Sequence, residues 1–271
     1  MNIKEELSQY GFKFNKNFGQ NFITDNNLLN AICADAEITN TSEVLEIGTG
    51  AGTLTQAIAN HAKKVISFEI DKNLTQYLTN KFQDYSNVEI IFQDFLKADM
   101  QQLKAKYSSP IKVVANLPYY ITTPLIFALI QSPLNIQSLT LMVQKEVAER
   151  IVANSGTKEY GALSVSLQAV SDVKITRIVP RNMFTPAPEV DSAIINLKLN
   201  NKFNIKNYSV FNKTVKACFF NRRKTLANNL SACFNISKQT AIEKIKQLSL
   251  PENIRGEQLS VAEIIKLSEL I

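Results

Sequence analysis

Five short runs of apolar β-formers, separated by stretches of helical periodicity, fill residues 42–144. "SEVLEI" (42–47), "KKVISFEID" (63–71), "VEIIFQD" (88–94), "IKVVAN" (111–116) and "SLTLMVQ" (138–144) read as strands. "TLTQAIANHA" (53–62), "KNLTQYLTNKFQDY" (72–85) and "TPLIFALIQS" (123–132) read as helices between them, the last with Pro124 near its first turn, where no N–H is missed. "NLLNAICADA" (27–36) is a further helix ahead of the first strand. Strands joined through helices run parallel, and a parallel sheet needs cover on both faces. The pattern therefore predicts a doubly wound, Rossmann-like α/β sheet. After it come two helical stretches, "KEVAERIVA" (145–153) and "GALSVSLQAV" (161–170), and a hairpin-like pair, "VKITRIVP" (173–180) and "SAIINLKL" (192–199), suited to an antiparallel edge. Beyond about residue 205 the strand signal stops and helical periodicity takes over. The expected organisation is an irregular arm over 1–26, an α/β domain over 27–203 and a small all-helical domain over 204–271.

Composition narrows the chemistry. The chain has 271 residues, 45% of them hydrophobic, and no apolar run of the roughly 18 residues a membrane helix needs. The first residues, "MNIKEELSQYGFKF", lack the apolar core of a signal peptide, so the expected location is the cytoplasm, away from any membrane. Three dispersed cysteines, Cys33, Cys218 and Cys233, suit neither a disulfide framework nor a zinc site, and no metal is expected. The single histidine, His61, stands at a helix end and reads as a solvated or capping residue. Charge is uneven. Residues 201–250 hold ten Lys or Arg and one acid, leaving the rest of the chain with 20 basic and 23 acidic residues. A positive excess confined to one segment points to a polyanion, nucleic acid first.

The first strand ends in "EIGTGAG" (46–52), where three glycines allow the backbone to pass close beneath a ligand at the carboxyl edge of the sheet. The spacing is G-x-G-x-G, unlike the G-x-G-x-x-G of dinucleotide folds. Glu46, two residues before the first glycine, is read as repelling a pyrophosphate and suiting a cationic ligand such as S-adenosylmethionine. Glu69 closes the second strand about 20 residues on, the distance at which an acid accepts ribose hydroxyls. Asp71 reads as a helix cap. Asp94, in "FQDF", closes the third strand and is placed to accept from an adenine amine, with Phe95 near the ring. At the fourth strand end stands "NLPYY" (116–120). An amine on an aromatic base is a poor nucleophile because its lone pair is delocalised. The Asn116 side-chain carbonyl and the Leu117 backbone carbonyl can accept its N–H groups, Pro118 fixes the turn, and Tyr119 offers a face for a flipped base. Such catalysis rests on orientation and needs no histidine.

These residues resemble the N-L-P-Y signature of the rRNA adenine N6,N6-dimethyltransferases, a branch of the S-adenosylmethionine-dependent methyltransferases. "FGQNFITD" (18–25), "VLEIGTGAGTLT" (44–55), "VANLPYYITTPLI" (114–126), "LMVQKEVAERI" (141–151), "YGALSV" (160–165), "FTPAPEVDSAI" (184–194) and "FNRRKTLANNL" (220–230) follow in that family's order, from about residue 12 to 265. Within the family the chain is most similar to bacterial members that dimethylate two adjacent adenosines in a hairpin loop near the 3′ end of 16S rRNA. The resemblance implies S-adenosylmethionine as methyl donor, held by Asn21, Ile23, Gly48, Glu69, Asp94 and Asn116. It implies Asn116, Leu117, Pro118 and Tyr119 around the target adenine, and Phe184 on its other face. Read from the residues alone, Phe184 is core. The resemblance further implies RNA contact by Arg222, Arg223 and Lys224, with a small-subunit precursor as partner of a monomeric enzyme. Tyr120 stands where the family commonly has asparagine, Ile23 replaces leucine, and "KFNKN" ahead of the arm motif is less basic than usual. Three other readings remain in view: a methyltransferase acting on 23S rRNA, a non-catalytic rRNA-binding assembly factor, and a nicotinamide-linked dehydrogenase, the last disfavoured by the glycine spacing.

Overall fold

The structure is a computed structural model and describes residues 3–12, 20–118, 121–200 and 202–271. It contains a seven-stranded sheet built from β2 (Glu43–Ile47), β3 (Lys64–Phe68), β4 (Val88–Ile91), β5 (Ile111–Asn116), β6 (Ile136–Gln144), β7 (Ser171–Val179) and β9 (Ser192–Leu199), in the order β4-β3-β2-β5-β6-β9-β7. Neighbours from β4 through β6 pair in parallel, while β9 joins β6 antiparallel. Every residue of the central strand β2 is buried, as a parallel strand covered on both faces must be. The chain lays down β2, β3 and β4 in one direction, then crosses back to place β5 on the other side of β2. The reversal opens a crevice at the carboxyl ends of β2 and β5, where open α/β sheets bind ligands.

The expected irregular arm is more ordered than its composition suggested. It carries a helix, α1 (Ile3–Ser8), and a two-residue strand, β1 (Phe22–Ile23), which pairs antiparallel with β8 (Phe184–Thr185). Ile3, Leu7, Phe12 and Phe22 bury themselves in one apolar cluster with Leu74, Tyr77 and Phe82. The reason is spacing: Ile3 and Leu7 lie four apart and share one helix face.

The helices follow the periodicity closely. They are α2 (Asn26–Asp35), α3 (Thr53–Ala59), α4 (Thr75–Phe82), α5 (Met100–Ala105), α6 (Thr122–Gln131), α7 (Lys145–Val152), α8 (Ala162–Gln168), α9 (Tyr208–Cys218), α10 (Leu226–Phe234), α11 (Lys238–Gln247) and α12 (Val261–Leu270). Asp25 caps α2 by accepting from Leu28 N–H at 2.7 Å, and Asp99 caps α5 the same way.

The chain divides into two compact units, residues 1–145 with 174–198, and residues 146–173 with 199–271. The expected boundary at 203/204 counted 146–173 with the sheet. Of their apolar side chains, Ala153, Tyr160, Val165 and Ala169 instead share a cluster with Phe211, Leu226 and Ile264 of the C-terminal helices. The periodicity of α8 showed that it is amphipathic but not which core its apolar face joins.

Candidate active site

The glycine turn hangs from the second parallel strand. Gly48 and Thr49 N–H both donate to the Phe68 carbonyl, at 2.9 and 3.1 Å. Two of the three glycines are required by the chain's own packing. A Cβ on Gly50 meets the Phe22 ring at 2.9 Å, and one on Gly52, at φ +69°, meets the Phe82 ring at 2.6 Å. Gly48 differs: a Cβ there would meet only the Asn116 backbone carbonyl, at an ordinary contact distance of 3.5 Å, across the crevice from β2 to β5.

Glu69 lies at the end of β3 and is 4% exposed. One of its oxygens accepts from Gly50 N–H at 2.7 Å and the other from Asp71 N–H at 2.7 Å. Each carboxylate oxygen keeps a second lone pair, so the group is a fixed acceptor with capacity left over. Burial pushes its carboxyl above the usual range, while those N–H groups pull the other way. Asp71 is the cap it was expected to be, accepting from Asn73 N–H at 3.0 Å. It also accepts from Gln20 Nε2 at 2.7 Å, a tie from the arm.

Asn116 ends β5. Its Nδ2 donates to the Asn21 carbonyl at 2.9 Å. A carbonyl can only receive an N–H, so this bond fixes the amide's orientation and turns Oδ1 away from the arm as the acceptor. Ile23, two residues on, is held in turn by the β1–β8 pair and by Thr53 Oγ1, which donates to the Ile23 carbonyl at 2.7 Å. Asn21, Ile23, Gly48, Glu69, Asn116 and Pro118 thus line one cleft.

Other expected residues fall elsewhere. Leu117 is 2% exposed, its N–H directed to the Met142 carbonyl at 3.4 Å. Tyr119 and Tyr120 lie outside the described residues. Asp94 is not part of the cleft wall; it caps a 3-10 turn by accepting from Leu96 N–H at 3.0 Å. Phe95 is 4% exposed and meets Phe68 edge-on, with ring centres 5.2 Å apart, so it offers no open face. Phe184 is likewise 4% exposed and packs with Ile23, Leu54 and Met142, the core position its residue type suggested. His61 is exposed just past α3.

Glu46 corrects the sequence reading most sharply. It is 0% exposed. Oε2 accepts from Thr55 Oγ1 at 2.5 Å and Ser67 Oγ at 2.7 Å, and Oε1 has no partner among the described residues. Burial pushes its carboxyl up to about 8, with nearby Glu69 adding to the rise against the hydroxyl donors. At neutral pH the protonated form prevails, so Glu46 gives the cleft no negative charge. Sequence position alone could not separate a buried acid from a facing one.

In the helical unit, Arg222 Nε donates to Glu257 at 2.8 Å and its Nη1 to the Lys158 carbonyl at 2.9 Å. Arg223 and Lys224 are exposed. Among the described residues no group of three or more His, Cys, Asp or Glu is placed to hold a metal, and no helix is long and apolar enough to cross a membrane. Sequence reasoning missed the bonds that shape the cleft, Gly50 to Glu69 and Asn116 to Asn21. Both use backbone groups, which carry no signal in a residue string.

Comparison with known proteins shows the family. Residues 11–271 match the family model described as ribosomal RNA adenine dimethylase. A ribosomal RNA small subunit methyltransferase A of Clostridioides difficile is 43% identical over 272 residues, spanning 99% of this chain and 94% of that protein. One from Streptococcus pyogenes is 43% identical over 276 residues, spanning 99% and 95%. The crystal structure of a dimethyladenosine transferase from Plasmodium falciparum superposes with a TM-score of 0.80 at 28% identity, over 91% of this chain and 95% of that one. That of the 23S rRNA methyltransferase ErmE gives 0.71 at 25% identity, over 92% and 99%. The chain belongs to the ribosomal RNA adenine dimethylase family.

Proposed function

We propose that this chain is an S-adenosylmethionine-dependent enzyme that dimethylates the N6 amines of two adjacent adenosines in a hairpin loop near the 3′ end of 16S rRNA. The observation that carries the reading is the orientation of Asn116, whose Nδ2 is committed to the Asn21 carbonyl at the mouth of the cleft.

The cleft suits the donor. Glu69 is buried, fixed by two backbone N–H groups and still able to accept, as an acid receiving ribose hydroxyls should be. When bound, S-adenosylmethionine supplies an electrophilic methyl group. Glu69, Gly48, Asn21 and Ile23 would hold it, with Asn116 at the boundary with the target base. Asp94 would join only through the part of its carboxylate not already given to Leu96 N–H.

The target amine needs its lone pair freed from the purine ring. Asn116 Oδ1 and the Leu117 carbonyl accept its two N–H groups, which favours a pyramidal nitrogen and aims the lone pair. An amine that has gained a methyl carries positive charge and loses its proton readily to water, so no side chain need act as base before attack. The residues contribute by orientation and proximity, a source worth about 7–11 kcal/mol in favourable cases. Tyr119 would stack on the extruded base. Phe184 would reach its other face only by leaving its present packing against Ile23, since the ring is now 4% exposed.

The small-subunit target rests on the relatives and on the sequence motifs. The test is to incubate purified protein and labelled donor with small and large subunits lacking these methylations, then map the modified nucleotides by mass. Label in two adjacent adenosines of the small-subunit RNA is the expected result. Label in large-subunit RNA would transfer the reading to the other branch, and no label in either would remove it.

A further inference from the structure

Phe220 is 67% exposed, the most open of the large apolar side chains described. It does not sit on a loose end. Its N–H donates to the Ala217 carbonyl at 3.2 Å, continuing the last turn of α9. The next residue, Asn221, has its carbonyl taken by Lys224 N–H at 3.0 Å and by Nδ2 of buried Asn229 at 3.1 Å. The preceding Phe219 packs on the Tyr160 ring, with centres 5.7 Å apart. A rigid turn therefore presents an aromatic face to solvent, a position that costs hydration unless something covers it.

Three segments meet at this turn. Leu226 N–H donates to the Ile254 carbonyl at 2.8 Å, and Gly256 lies against Cys218 so closely that a Cβ there falls 2.0 Å from the Cys218 carbonyl oxygen. Gly156 N–H donates to the Glu257 carbonyl at 2.8 Å, and Arg222 bridges Glu257 to the Lys158 carbonyl. The junction carries four exposed cations, Lys158, Arg223, Lys224 and Arg255. Of the nearby acids, Glu257 is engaged by Arg222 and Glu159 is the exposed one on the 154–159 loop.

We infer that Phe220 is a base-stacking residue: an unpaired RNA base lies on its ring while adjacent phosphates take Arg223, Lys224 and the neighbouring cations. Aromatic faces amid basic side chains are the chemistry of single-stranded RNA sites, because every base has a π-face and every phosphate a charge. The inference rests on the rRNA reading above and adds a second RNA contact, outside the catalytic cleft.

The experiment compares Phe220→Ala, Phe220→Leu and Phe220→Tyr for binding to unmethylated small subunits and for KM in the methylation assay. Stacking predicts that Phe220→Ala weakens binding by on the order of 10- to 100-fold, that Phe220→Tyr retains it, and that Phe220→Leu resembles Ala. The slope of log affinity against log salt should stay unchanged in all three, since no charge is removed. If Phe220→Leu binds like the parent, the contact is apolar rather than π-stacked, and a protein surface replaces RNA as the occupant. If Phe220→Ala binds like the parent, the ring covers nothing and the inference fails. A parent enzyme that methylates normally while all three variants bind equally overturns this inference alone; a parent that never methylates small subunits overturns the functional reading beneath it.

Discussion

Two residues carry opposite lessons about position and role. Asn116 lines the cleft at its strand tip with its nitrogen anchored to Asn21, which leaves Oδ1 as the acceptor that the proposed role requires. Replacing it by alanine removes both the acceptor and the anchor, and kcat for adenine methylation is expected to fall by about 100-fold or more. Asn116→Asp keeps an acceptor but sets an oxygen against the Asn21 carbonyl, so its rate should lie between the two. Equal rates for Ala and Asp in steady-state assays would mean that the accepting oxygen is irrelevant. Glu46, by contrast, is a structural acid. Its carboxyl is raised from 4.5 to about 8, so the folded chain holds a proton that the unfolded chain releases. Its contribution to stability is complete below about 4.5 and is lost as pH climbs through about 8. Glu46→Gln keeps the side chain neutral at all pH values. Its melting temperature relative to the parent should rise between pH 5 and 8.5, then level off. Parallel melting curves across that range would show that Glu46 does not titrate as described.

At the scale of elements, most of the fold was written in periodicity. The strand over 111–116 and the strand over 192–199 fall where the apolar runs placed them. Apolar runs mark strands because they are covered on both faces, and capping residues such as Asp25 and Asp99 mark helix starts through their own hydrogen bonds. What could not be read were meetings between distant segments. The pairing of Phe22 with Thr185, two residues against two, has no length from which a pattern could emerge. Nor does the sequence show why Gly256 is glycine. Its position against Cys218 at the end of α9 leaves no room for a methyl group, and the obstructing atom is backbone. Gly256→Ala should therefore lower stability by roughly 2–3 kcal/mol or more, since backbone must move. Gly161→Ala is the control: its added Cβ has 4.0 Å of clearance, and at a helix N-cap alanine in place of glycine costs only about 0.5–1 kcal/mol. Urea midpoints for the two variants test the contrast, and equal midpoints would refute it.

Charge belongs to the whole molecule, and here the sequence segment overstated its concentration. Residues 201–250 carry ten bases against one acid. The compact unit that contains them also includes acid-rich flanks, giving it 14 basic and 9 acidic residues, against 16 and 15 in the sheet unit. The excess is thus real but modest, and which cations are available matters more than their number. Arg222 is already committed to Glu257 and the Lys158 carbonyl, holding three segments together. Arg223 and Lys224 are exposed neighbours on the same turn. If phosphates are the partners, each free cation that meets one should add about 0.7 to the slope of log affinity against log salt on single-stranded RNA. The double variant Arg223→Ala/Lys224→Ala should lower that slope by about 1.4 and leave donor affinity, set by the cleft around Glu69, unchanged. Arg222→Ala should instead shift the thermal transition of the helical unit and change the slope little, because the charge it removes was internally neutralised. Binding isotherms on small subunits over a range of salt, read beside melting curves, separate these roles. A large slope change for Arg222→Ala with unaltered melting would show that its pairing with Glu257 gives way to RNA.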